Sequence, residues 1–190
     1  MKSVFKKHRR ISGGGTILQG PGCLNYSLVL PIDSCKPTCN LGQTNNLVLT
    51  THQQSISKAT GRTVTLQGQS DLAIDNIKFS GNAQRRLSKA LLFHGTFLLS
   101  FNISMFNHVL RFPSSTPAYR GMRSHDAFCK NLSLTVEKLK TALIQSWKSF
   151  RKSEPIDIDA VNDLANLKYS TMAWLNRCTW GEYWLSRLGF

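Results

Sequence analysis

At 190 residues the chain is long enough for one domain with its own hydrophobic core. Its apolar content of 41% is that of an ordinary soluble globular protein and excludes a disordered or fibrous class. The outlier is charge: 24 Lys and Arg against 10 Asp and Glu, formally +14. A field of that sign attracts acidic proteins, phosphorylated ligands or polyanions and does not specify a fold. The basic residues are spread along the chain apart from Lys6, Lys7, His8, Arg9 and Arg10, so nucleic-acid binding stands as a disfavoured alternative. The first ten residues carry the charge of a signal-peptide start, but ISGGGT follows where an apolar segment is required. Residues 90–106 are the longest apolar stretch, and His94, Gly95, Ser100, Asn102 and Ser104 interrupt it. No export, anchoring or membrane signal is legible, which makes a cytoplasmic location the expectation. Cys23, Cys35, Cys39, Cys129 and Cys178 are odd in number and lack the paired spacing of a zinc site, so they read as free thiols.

In chain order, residues 16–30 read as two short strands, TIL and LNYSLVL, joined by the turn QGPG. Residues 33–47, rich in Pro, Cys, Asn and Gly, read as a loop. A short helix is expected over 53–59, closed by Gly61. Strand-like runs follow at 63–66, 71–74, 77–81 and 91–101. A short helix is expected over 103–111, before Pro113, and the run PSSTPAYR reads as extended or turn-like. The clearest helix spans 133–150, with Leu139, Ala142, Leu143, Ser146, Trp147 and Phe150 on one face. A second helical segment is expected over 157–178, after the break at Pro155. Strands in the first two-thirds and helices in the last third make an α+β domain, a mixed or antiparallel sheet with flanking helices.

Four clusters carry chemistry. Arg10-Ile11-Ser12-Gly13-Gly14-Gly15-Thr16 combines an arginine with three glycines, whose backbone N–H groups suit phosphate oxygens. It is neither a Walker loop nor a dinucleotide fingerprint, and alone it reads more readily as a flexible turn. Ser70-Asp71-Leu72 and then Lys78-Phe79-Ser80-Gly81-Asn82 set a lysine among apolar strand residues. That lysine suits a carboxylate or phosphate partner, and an ordinary edge-strand lysine is the competing reading. His94-Gly95-Thr96 reads first as a buried histidine satisfied by a backbone carbonyl and second as a general base. Tyr119, Arg120, Arg123, His125, Phe128 and Asn131 form a polar and aromatic run suited to an anion or to a solvated connection.

Together, RRISGGGTILQGPGCLNYSLVL, SDLAIDNIKFSGNAQRR and LLFHGTFLLSF resemble the three motifs of the lipoate–protein ligases, in the biotin/lipoate ligase superfamily. The resemblance spans about residues 8–132, in order and at family-like spacing. It implies a biotin/lipoate ligase-like catalytic domain over residues 1–190. The domain is expected to be short at its N-terminus and to lack a C-terminal accessory domain. It also implies ATP and Mg2+ as requirements and lipoate or octanoate as substrate. The acceptors implied are lipoyl carrier domains of 2-oxoacid dehydrogenases or of the glycine-cleavage system. By the motifs, Lys78 falls on the lysine that contacts acyl carbonyl and phosphate, and Arg10 on the nucleotide-binding arginine. Gly15, Thr16, Ile17 and Leu18 fall on the stretch lining nucleotide and acyl sites. Asp71, Ser80, Gly81 and Asn82 fall where the lysine strand is shaped and the adenylate or Mg2+ is held. Two alternatives stay open. One is an octanoyl or lipoyl transferase that works through a cysteine without ATP; the other is a degenerate, non-catalytic basic binding protein.

Overall fold

The computed structural model describes residues 5–113, 115–148 and 155–177. Contacts divide the chain into two compact units, residues 12–151 and the paired termini, 1–11 with 152–190.

The larger unit is built on a five-stranded antiparallel sheet of order β1-β5-β4-β3-β2. Its strands are β1 (Cys23–Pro31), β2 (Thr65–Gln67), β3 (Asp71–Ile74), β4 (Ile77–Arg86) and β5 (Ala90–Leu98). The α+β class is as expected, and the four later strands lie on the predicted runs. The predicted strand over TIL is absent: residues 16–20 have no regular structure, and the turn before β1 closes with Cys23 N–H donating to the Gly20 carbonyl. β3 and β4 are joined by Asp75 and Asn76, both in the left-handed region at φ 54° and 59°. Two such residues make the tight hairpin turn whose twist matches that of the strands.

Helix α1 (Leu41–Thr60) is far longer than the seven residues expected. Gly61, at φ 67°, ends it as predicted, and Asn40 begins it by accepting from the Gln43 N–H. Its buried residues Thr44, Val48, Leu49, His52 and Ile56 recur at helical spacing, with two polar ones at core positions. Helix α4 (Val136–Ser146) starts on the Thr135 cap and lays Leu139 into the same core. The Ser55 hydroxyl donates to the Ala142 carbonyl and ties the two helices together. Phe150, at the end of the predicted helix, lies outside the described residues.

Strand alternation gives the sheet two unlike faces. One buries Leu72, Phe79, Phe93 and Phe97 against α1 and α4, as one contiguous core. The other carries Asn25 and Ser27 on β1 and His94 and Thr96 on β5, all at alternate positions. At one end of the sheet a second cluster forms from Leu98, Phe101 and Phe106 with Leu18, Cys23 and Cys129. Phe106 comes from α2 (Met105–Val109), inside the expected helix over 103–111. A short α3 (His125–Phe128) follows.

The terminal unit is helical, with α5 (Ile158–Leu164), a wider turn over Ala165–Tyr169, and α6 (Met172–Leu175). This is the helical segment expected after Pro155. The N-terminal segment joins it: the Trp174 indole N–H donates to the Arg9 carbonyl and the Arg9 Nε to the Leu175 carbonyl. Among the described residues, no helix is long and apolar enough to cross a membrane. Cys23, Cys35, Cys39 and Cys129 are free thiols, and Cys178 lies outside the described residues.

Candidate active site

The site starts from an irregularity in β4. In a regular strand Lys78 and Gly81, three apart, point to opposite faces. Here the pairing with β3 slips by one: Leu72 faces Ser80, but Ala73 faces Lys78, so Phe79 is the extra residue of a β-bulge. Phe79 and Ser80 are both buried, the former stacked on Phe97 of the core face. The slip turns Lys78 to the face that holds Asp71 and Gly81, which are themselves cross-strand partners.

Lys78 Nζ lies 2.7 Å from Asp71 Oδ1, with side-chain exposures of 27% and 11%. The lysine stem runs over Gly81: a Cβ there would stand 3.0 Å from both Cε and Nζ of Lys78. Any side chain at residue 81 would therefore displace the ammonium. The other carboxylate oxygen of Asp71 accepts from the Tyr119 hydroxyl at 2.8 Å. Burial, and then the charge of Asp71, push the Tyr119 phenol up, so it stays protonated and acts as donor.

The next strand continues the site. Thr96 is the cross-strand partner of Gly81, and its hydroxyl donates to Asn25 Oδ1 at 2.7 Å. The Gln19 amide donates to Thr96 Oγ1 at 2.8 Å and to Asn25 Oδ1 at 3.1 Å. Two residues along β5, His94 Nε2 lies 2.6 Å from the Ser12 hydroxyl. A side-chain hydroxyl is thus one partner of this histidine. His94 and Thr96 are two positions apart on a strand, roughly 7 Å. The seven-residue step from Ser12 to Gln19 spans over 20 Å when extended. Residues 13–18 must therefore arch away from the sheet. Gly14, at φ 98°, bends the arch, and Gly15, Thr16 and Ile17 are exposed on it. Leu18 turns inward against the Leu98, Phe101 and Phe106 cluster.

The expected residues thus separate into groups. Lys78, Asp71 and Gly81 come together, and the arch of Gly15, Thr16, Ile17 and Leu18 is anchored on the neighbouring strands. Ser80 and Asn82 do not join them. Both lie on the helix-covered face, opposite the Lys78 ammonium, where their cross-strand partners are Phe97 and Gly95. Ser80 is 1% exposed, and Asn82 Nδ2 donates to the Ser70 carbonyl while its Oδ1 accepts from the Tyr26 hydroxyl. Gly95 lies between Tyr26 and Asn82, and a Cβ on it would overlap Asn82. Its role is to let those two side chains meet. Arg10 belongs to the terminal unit, its guanidinium half-buried and its pKa lowered by that burial.

Gln19 and Asn25 are the site residues that motif reading passes over, whereas Tyr119 and Thr96 stand in runs already singled out, without these partners. The alternation of Asn25 and Ser27 with Leu24, Tyr26 and Leu28 signals an open face; nothing local signals that Tyr119 meets Asp71. Beside it, Arg120 is 5% exposed, its guanidinium between the Phe112 and Phe128 rings at 4.7 and 4.8 Å. Cys129 bridges to Lys78 across the strand end, and burial raises its thiol pKa despite the nearby Lys78 and Arg120 charges. Among the described residues no group of three or more His, Cys, Asp or Glu is arranged to hold a metal ion.

The lipoyl protein ligase A/B catalytic domain is the family whose pattern matches, over residues 2–148. The chain is 24% identical over 177 residues to lipoate–protein ligase 1 of Staphylococcus aureus, covering 87% of this chain and 52% of that protein. It is 25% identical over 143 residues to lipoate-protein ligase LplJ of Bacillus subtilis, covering 72% and 41%. The chain spans about half the length of the curated relatives it matches. Among solved structures it is similar to a bipartite lipoate protein ligase of Thermoplasma acidophilum, with a TM-score of 0.75 and 22% identity. That likeness covers 92% of this chain and 72% of the other. A lipoate-protein ligase A bound with ATP is similar at a TM-score of 0.67 and 21% identity, over 89% and 71%.

Proposed function

Because the chain belongs to the lipoyl protein ligase A/B catalytic domain family, we propose that it activates lipoate with ATP and passes the lipoyl group to a carrier-domain lysine. The observation that carries the proposal is the Lys78 ammonium, held by Asp71 over Gly81 on the open face of the sheet, beside the anchored glycine arch. In the first half-reaction the lipoate carboxylate attacks the α-phosphorus and pyrophosphate leaves. In the second, an uncharged lysine amine attacks the acyl carbon, and AMP leaves with the bonding electrons. Each step builds negative charge on oxygen atoms of a small acyl-phosphate centre. A preorganised ammonium stabilises that charge, most strongly in a site that excludes water. Among the described residues Asp71 Oδ1 is the one acceptor bonded to the Lys78 ammonium, whose three N–H donors suit substrate oxygens as well.

Gly15, Thr16, Ile17 and Leu18 are proposed to cover nucleotide and acyl chain, and Arg10 to contact the nucleotide. Mg2+ fits this reading as an ion that arrives on the phosphates, with Asp71 as the nearby carboxylate. Such ions are commonly held by one or two carboxylates plus substrate phosphates. The acceptors proposed are lipoyl domains of 2-oxoacid dehydrogenases or of the glycine-cleavage system, in the cytoplasm, with octanoate as an alternative acyl group. The net charge of +14 favours an acidic acceptor.

A cysteine-dependent transferase is disfavoured by Cys129, because a nucleophilic thiol requires a lowered pKa and burial raises this one. Pyrophosphate release with lipoate, ATP and Mg2+ tests the choice. Release that is lost in Lys78→Ala and kept in Cys129→Ser is expected. The opposite pattern refutes the ligase reading.

A further inference from the structure

The Lys78–Asp71 pair does not end at the carboxylate. Tyr119 lies 48 residues away in sequence, in the short turn Ala118–Arg120, yet its hydroxyl donates to Asp71 Oδ2. Its ring packs against Phe128 with centroids 5.1 Å apart, and its carbonyl accepts from the Arg123 guanidinium. That guanidinium also donates to the Asn76 carbonyl in the β3–β4 turn, and it lies over the Phe128 ring. Gly68 allows the turn to approach: a Cβ there would meet Pro117 at 3.2 Å and the Tyr119 ring at 3.7 Å. The phenol is therefore fixed on three sides before it reaches Asp71.

From this geometry we propose that Tyr119 is a positioning residue, whose hydroxyl sets the plane of the Asp71 carboxylate so that Oδ1 alone holds the Lys78 ammonium. A carboxylate rotates freely about its Cβ–Cγ bond unless both oxygens are engaged. With Oδ2 bonded to a rigid phenol, Oδ1 has one direction in which to meet the lysine. Without that bond the carboxylate turns, Lys78 samples several rotamers, and the loss falls on the step that needs the ammonium in place. Tyr119 touches no reacting atom in this scheme. The proposal rests on the reading of Lys78 as the charge-stabilising residue.

Tyr119→Phe removes one oxygen and keeps the ring packing. Two measurements read its effect. The first is lipoate-dependent exchange of pyrophosphate into ATP, in wild type, Tyr119→Phe, Asp71→Asn and the double variant. Tyr119→Phe is expected to lower kcat about 10-fold with little change in KM, on the scale of one hydrogen bond to a charged group. In the Asp71→Asn background it is expected to add nothing, because its action passes through that carboxylate. The second is trace labelling of lysines with acetic anhydride, read peptide by peptide, which needs no activity. Lys78 is expected to label several-fold faster in Tyr119→Phe, while the exposed Lys58 and Lys138 are unchanged. Equal losses of kcat in both backgrounds, or unaltered Lys78 labelling, overturn the proposal. If wild type shows no exchange, the ligase reading fails, and the labelling still decides what Tyr119 does for Lys78.

Discussion

The two faces of the sheet are made from the same strands and do different work. On the covered face the polar side chains of β4 are matched within the chain. The Tyr26 hydroxyl meets Asn82, Gln84 reaches Asn45 and the Leu41 carbonyl, and Arg86 reaches Thr44 and the carbonyls of Thr38 and Cys39. On the open face, among the described residues, Asp71 is the one acceptor bonded to the Lys78 ammonium, and Gly81 adds no side chain beside it. β4 supplies both sets by alternation, and the bulge at Phe79 brings Lys78 onto the same face as Gly81. Proximity in sequence is thus a poor guide to a shared role: Ser80 and Lys78 are two residues apart and serve opposite faces.

Substitutions on the two faces should separate activity from stability. The largest effect is expected from Lys78→Met, which keeps the apolar stem and removes the charge. Pyrophosphate exchange should fall about 10²–10³-fold, the cost of one lost charge-stabilising donor. Chemical denaturation should record a loss of only about 1 kcal/mol, because Asp71 retains the Tyr119 hydroxyl and the lysine head is partly exposed. A comparable collapse of stability would erase the distinction between the faces.

On the covered face, Gly95→Val drives branched carbons into Asn82 and Tyr26. A loss of about 3 kcal/mol is expected from overpacking and the broken hydrogen bond, read as a lower denaturation midpoint. Residual activity per folded molecule should be largely kept.

A smaller, pH-dependent effect is expected from His52. Its ring is 1% exposed, between Tyr26 and Trp147, and its Nε2 accepts from the Trp147 indole N–H. Burial lowers its pKa from 6.5 to about 4. The unfolded chain therefore binds the proton first, so stability is complete above pH 6.5 and declines as pH falls toward 4. From pH 6.5 to 5 the decline should reach about 2 kcal/mol, at about 1.4 kcal/mol per unit. His52→Gln, which keeps an acceptor for Trp147, should flatten that slope; an unchanged slope would place the acid sensitivity elsewhere.

Much of this was open to reading from one chain. The runs at 71–74 and 77–81, and 91–98 of the run expected to 101, are strands because β-branched, aromatic and leucine side chains alternate or cluster between turn residues. Gly61 ends its helix because only a residue tolerant of positive φ closes it there. The first half of α1 was illegible because Gly42, Thr44, Asn45 and Asn46 are weak helix formers, and Thr44 and His52 occupy core positions normally apolar. Tertiary packing against the sheet supplies what local propensity lacks. The strand expected over TIL fails for the opposite reason. Its apolar residues divide between an exposed Ile17 and a Leu18 that packs in the second cluster.

Lys78 shows both halves. Composition and order alone set a lysine between an acidic residue and a glycine, downstream of an arginine and three glycines, and that linkage was enough to name a family resemblance. Which groups it meets was decided only in three dimensions. A one-residue slip in strand pairing, invisible in a linear pattern, turns the side chain toward Asp71. The phenol that completes the arrangement comes from residue 119, brought there by the packing of a connection with no periodicity of its own. Sequence specifies which side chains are available; long-range pairing decides which of them share a face.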